Sequence, residues 1–162
     1  MNWILFWLAL HIIAAVIAFG PTFAFPIIGV MTGRFPQHAH FAALINQRIE
    51  RFLVIPFALS MLVSGTGLLI AADVSLFKTT YLLIAVILYL INVAVALFVL
   101  EPNTHHLVRL TETPPTGEAF AELQRRVGLV RGLGGLLTVT FLAIIILMIL
   151  QPGGLVFGPI FG

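Results

Sequence analysis

The sequence contains no cysteine and a single lysine, Lys78. Without thiols there is no disulfide, no thiolate metal site and no cysteine nucleophile. Charge is scarce as well. Asp, Glu, Lys and Arg together make up 9% of the chain, against about 25% in a soluble domain. So few charges cannot cover a globular surface in water, so lipid must face much of this one. The apolar stretches hold no paired carboxylates, which removes the residues that glycosidase or di-iron chemistry would use. The Ser64-Gly-Thr-Gly67 run has no lysine after it and lies in an apolar segment. It reads as packing glycine, like Gly128, Gly132 and Gly135, and not as a phosphate loop. The N-terminus lacks a basic region and its first apolar stretch runs too far for a cleavable signal peptide.

What is present is hydrophobicity. Of 162 residues, 60% are hydrophobic, and the mean hydropathy is +1.14. The length suits one compact unit, with no internal repeat, so residues 1–162 read as a single integral-membrane domain. Four apolar stretches stand out, at about 3–31, 53–72, 79–100 and 129–150. Each reaches the roughly 20 residues that span a hydrocarbon core of about 30 Å. Backbone groups in lipid must pair internally, so each stretch is expected to be a helix. The expected fold is all-α, a four-helix transmembrane bundle in contact with the lipid bilayer.

The basic residues set an orientation. Arg34, Arg48 and Arg51 follow the first helix, and Arg109, Arg125, Arg126 and Arg131 follow the third; only Lys78 stands on the other side. The positive-inside rule then places both long loops in the cytoplasm and both termini outside. The pI of 9.7 rests on a net charge of +2; it reports topology and makes no case for nucleic acid. Phe41, Leu44, Ile45, Ile49 and Phe52 recur at helical spacing, as an interfacial helix leading into the second span would. Thr116 suits a helix N-cap, and Glu122 and Arg126 are spaced to pair on one helix face. The tail from Gln151 to Gly162, rich in Gly and Pro, is expected to be irregular.

His11 is the sharpest single feature. It sits eight residues beyond Trp3, about 12 Å deep at 1.5 Å per residue. An ionisable residue at that depth is a candidate functional group. Its helical face carries Ala14, Ala15, Ala18 and Thr22, and small residues mark helix–helix contact, so His11 is expected to point into the bundle. Ser64, Gly65, Tyr89 and Thr140 lie at similar depth in the other helices. Three roles stand open: a packing hydrogen bond to one of these hydroxyls, a haem or metal ligand, and a proton-handling group. A bis-histidine haem needs two membrane histidines and the chain has one. A haem would therefore take a non-histidine ligand, an open position, or a second protomer.

Lys78, at the mouth of the third helix, reads as a snorkelling anchor or as a cation for a propionate or lipid headgroup. Gly20-Pro21 and Pro26 break the first helix, and each proline frees a carbonyl four residues back. His38, His40, His105 and His106 share the basic-loop side, where imidazoles could hold a transition metal or simply be solvated.

From His11 to Pro26 the chain reads Leu-His-Ile-Ile-Ala-Ala-Val-Ile-Ala-Phe-Gly-Pro-Thr-Phe-Ala-Phe-Pro once Leu10 is included. This resembles the first helix of an uncharacterised bacterial integral-membrane family with a Leu-His start and a Gly-Pro-Thr-x-Ala-Phe-Pro ending. More distantly it is similar to the copper-resistance-D-like proteins and to the haem-associated membrane protoporphyrinogen oxidase. The likeness extends to the Arg48-to-Arg51 stretch before Pro56, to Lys78, and to Gln151-Pro152. It implies a bacterial inner-membrane location, possession of haem b, His11 as the haem-iron ligand and Lys78 as a cofactor-binding residue. The oxidase's arginine and histidine after helix 1 have no match here. Two functional classes follow. One is a haem-b or porphyrin-associated redox protein; the other is a non-catalytic accessory or scaffold subunit, alone, as a homo-oligomer, or within a larger membrane complex.

Overall fold

The computed structural model describes residues 2–113 and 116–150. Pro114-Pro115, the Gln151-Pro152 pair and the glycine-rich tail lie outside the described residues. Four long helices run antiparallel: α1, Trp3–Arg34; α2, Pro36–Ala71; α3, Thr80–Leu110; and α4, Glu118–Leu150. All four are long and apolar enough to cross a membrane, and no strand occurs among the described residues. The protein is an all-α four-helix transmembrane bundle.

The helices outrun the apolar stretches, because amphipathic segments continue them at the basic-loop end. The segment Ala39–Ile49, expected at the interface and leading into the second span, is the first part of α2 and joins its apolar part without a break in helicity. Asn2 caps α1 by accepting hydrogen bonds from the amides of Ile4 and Leu5. At α4 the cap differs from expectation. The helix begins at Glu118 and Gly117, at φ +57°, stands before it, its carbonyl taking the Ala121 amide. Glycine adopts that left-handed conformation without the steric penalty Thr116 would meet.

The closest helix pair is α1 with α2. Ala14 and Ala18 are buried on α1, facing a small-residue face of α2 that includes Ala58 and Ser64. Small side chains let two backbones approach, the usual basis of helix association in lipid. Trp7 lies directly against Gly67: a Cβ there would fall 2.6 Å from Trp7 Cε2 and Cε3. In the bundle core Ala14, Met61, Ala85, Tyr89 and Ile144 meet, one or more from each helix. Phe19 of α1 stacks on Phe141 of α4. The outward faces carry large apolar side chains, with Ile70 75% and Phe98 78% exposed, so these surfaces contact lipid. The expected Glu122–Arg126 ion pair forms at 2.7 Å, and Arg126 also donates to Asn103 of α3 at 2.8 Å.

Candidate functional site

His11 points into the bundle. Its Nδ1 lies 3.0 Å from Ser64 Oγ, and its Cε1 would be 3.3 Å from a Cβ on Gly65. Ser64 is fully buried, and its hydroxyl also reaches the Ser60 carbonyl. Depth counting therefore found the right partner layer on α2. It did not find the right partners on α3 and α4. The Tyr89 hydroxyl donates to the Ala58 carbonyl, and Thr140 donates to Leu136 of its own helix at 2.9 Å.

Lys78 ends the short Leu76–Lys78 turn between α2 and α3, exposed, and shares a shallow outer depression with Asp73 and Ser75. The basic-end histidines go separate ways: His40 pairs with Thr111 at 3.3 Å, and His105 with Gln47 at 2.8 Å. Among the described residues no group of three or more His, Cys, Asp or Glu stands together to hold a metal.

A concavity lies elsewhere, and neither His11 nor Lys78 lines it. A cavity of about 790 Å³ opens between all four helices in the half of the bundle towards the basic loops. Helix irregularities near prolines mark its walls. Three helices depart from α geometry: α1 tightens into a 3-10 turn over Gly20–Phe23, while α2 and α3 widen into π turns over Glu50–Val54 and Ala96–Leu100. Each π turn lies just before a proline, Pro56 or Pro102. A proline ring inside a helix collides with the carbonyl four residues back, here Phe52 or Phe98, and lacks the N–H that carbonyl would receive. Widening the turn relieves the collision, and such π bulges recur at functional sites. In α1 the Thr22 hydroxyl takes the Phe19 carbonyl at 2.6 Å. Thr22, Glu50, Val54, Ala96 and Leu100, all from these turns, line the cavity.

Most of the lining is apolar, and its polar groups are few and placed. Glu50 of α2 is half-buried, with the Thr104 hydroxyl and the Glu101 carboxylate of α3 beside it. Asn46, one turn before Glu50, keeps its Oδ1 buried with no hydrogen-bond partner among the described residues. Arg131 of α4 extends towards α1, its Nη2 3.8 Å from the Cβ position of Gly29. Among the described residues, neither Glu50 nor Arg131 forms an ion pair.

The sequence match spans nearly all of this architecture. Residues 5–152 match DUF2269, a family of predicted integral membrane proteins. The chain belongs to that family. No curated protein and no solved structure matches it. The family match runs from α1 through the end of α4, so the cavity walls and the His11–Ser64 contact both fall inside it.

Proposed function

We propose that this is a non-catalytic, multi-pass protein of the bacterial cytoplasmic membrane that binds an amphiphilic molecule in the cavity between its helices. The observation that carries the reading is the cavity: about 790 Å³, walled by all four helices and largely apolar with a few convergent polar groups. Ligand pockets of about 300–1,000 Å³ share that character. His11 fits the non-catalytic class, since its Nδ1 is taken by Ser64 in a helix–helix contact. The basic asymmetry of the loops gives the orientation in that membrane.

The experiment is solvent extraction and mass spectrometry of the detergent-purified protein beside its Gly134→Phe variant. Gly134 lines the cavity, and a Cβ there meets no atom within 4 Å, so the phenyl ring grows into the cavity without displacing backbone. The wild type should carry a bound amphiphile and the variant should lose it. An amphiphile content equal to that of empty micelles, or equal in both proteins, would remove the reading.

A second reading keeps one observation in its favour. With Nδ1 engaged by Ser64, Nε2 is the ring nitrogen of His11 left for an iron. On that reading the protein is a haem-b or porphyrin-associated redox protein, with His11 as axial ligand and Lys78 near a propionate at the outer surface. A Soret band in protein from a haem-sufficient host, abolished by His11→Ala, would support it. A colourless protein with no spectral change on haem titration would end it.

A further inference from the structure

The charges of the cavity are complementary halves of something the protein does not itself supply. On the α2 side stand the half-buried Glu50 carboxylate, beside the Thr104 hydroxyl but without a cation among the described residues, and the buried Asn46 Oδ1, without a donor among them. On the α4 side, at the exposed rim of the cavity, stands the Arg131 guanidinium, without an anion among the described residues. A buried acceptor left without a donor is costly, and so is a half-buried carboxylate with no cation. A bound molecule that brings both missing partners would satisfy both walls.

Depth narrows the chemistry. Glu50 precedes Ala71, the end of α2, by 21 residues, and Arg131 precedes Leu150, the end of α4, by 19. At 1.5 Å per residue both stand about 30 Å from the opposite face of the bundle. That distance is about the thickness of the hydrocarbon core, so the pair lies at headgroup level of the leaflet on the basic-loop side. Above it, towards the bundle centre, the lining is largely apolar, with Phe19, Val54 and Leu97, interrupted by Thr22, Asn92 and Thr138.

Resting on the cavity-binding reading, we infer that the ligand is a phospholipid whose headgroup carries a primary ammonium, taken from the basic-side leaflet. The phosphate faces Arg131, whose planar fork of N–H donors matches phosphate oxygens. The ammonium donates to Glu50 and to Asn46 Oδ1. A quaternary ammonium has no N–H and would leave Asn46 unsatisfied. A glycerol headgroup donates hydroxyls but brings no cation to Glu50. The acyl chains run up the apolar wall.

The test offers the purified protein an equimolar mixture of ethanolamine, choline and glycerol phospholipids with identical chains. Each retained class is then counted by native mass spectrometry. Ethanolamine lipid should be retained about tenfold or more over either of the others, the selectivity that one hydrogen bond to a charged group supports. Glu50→Gln should collapse that preference, and Arg131→Gln should lower retention of all three. If Glu50→Gln does not purify as a folded protein, Asn46→Leu carries the same test. Free phosphoethanolamine at the same concentration should not displace the lipid. Displacement would place recognition in the head alone and overturn the lipid assignment. Equal retention of the classes, or a preference that survives the Glu50 and Asn46 variants, overturns the inference while leaving an amphiphile-binding cavity. Retention of no lipid and no other amphiphile defeats both.

Discussion

Two glycine-to-alanine replacements should have opposite signs. A glycine in a helix interior loses more backbone entropy on folding than alanine, by about 0.5–1 kcal/mol. At Gly134 a new Cβ meets nothing within 4 Å, so Gly134→Ala should stabilise by about that amount. At Gly67 the same Cβ would sit 2.6 Å from two carbons of the Trp7 indole, when carbon atoms rest about 3.5–4.0 Å apart. The gap must open by roughly 1 Å across the α1–α2 contact. The indole is rigid and packs edge-on against Phe6, centroids 5.4 Å apart, so it cannot turn aside freely. Overpacking of this kind costs about 1–3 kcal/mol, and the rigid neighbour places Gly67→Ala near the upper end. After the backbone gain, a net loss of about 2 kcal/mol remains. For a chain of this length that is a fall of about 4–8 °C in Tm, read by thermal unfolding in detergent. Adding Trp7→Leu should recover most of the loss, because the clash and the entropy gain then separate. If Gly67→Ala matches or exceeds the wild type, the α1–α2 approach described here is wrong.

Other expectations follow from the same contacts. Ser64→Ala removes the partner of His11 Nδ1 and should lower stability by about 1–3 kcal/mol, the cost of an unsatisfied buried group; an unchanged Tm would mean that His11 finds its partner elsewhere. Tyr89→Phe removes the bond to the Ala58 carbonyl and should cost about 1 kcal/mol, measurable in the same melts; no change would show that the α2–α3 contact rests on packing alone. Ala15→Phe, beside buried Ala14, should overpack the bundle by about 1–3 kcal/mol, and an unaffected Tm would place that face in lipid. A C-terminal reporter should be active only on the non-cytoplasmic side, as the arginine asymmetry requires; activity in the cytoplasm would invert the bundle and move the cavity to the outer leaflet.

The spans and the contact of His11 were legible in the sequence because both depend on short-range rules. Apolar length fixes the helices, and depth along a helix is a count of residues, so Ser64 and Gly65 could be matched to His11. Rotation about the helix axis is not a count of residues. Thr140 stands at a matching depth but donates to its own helix, because nothing local says which way α4 turns. The cavity was missed for a related reason. Arg131 reads in the sequence as a loop charge and Glu50 carries no signal of its own, and only the packed helices bring them to one chamber. A local signal did exist. Pro56 and Pro102 stand inside helical segments, and each widens the turn before it. The prolines of α1 were read as a break, yet the two matching sites in α2 and α3 were not connected to it. Gly117, at positive φ, stands immediately before α4, one residue beyond the Thr116 cap position expected from the sequence.

The claim that the cavity is a binding chamber is tested most directly by a density map of the protein in lipid nanodiscs, at a resolution that shows acyl chains. The account predicts continuous density between the four helices, with its head between Glu50 and Arg131 and its tail along Phe19 and Leu97. Helices closed upon one another, with Glu50 and Arg131 in direct contact and no density between them, would contradict it.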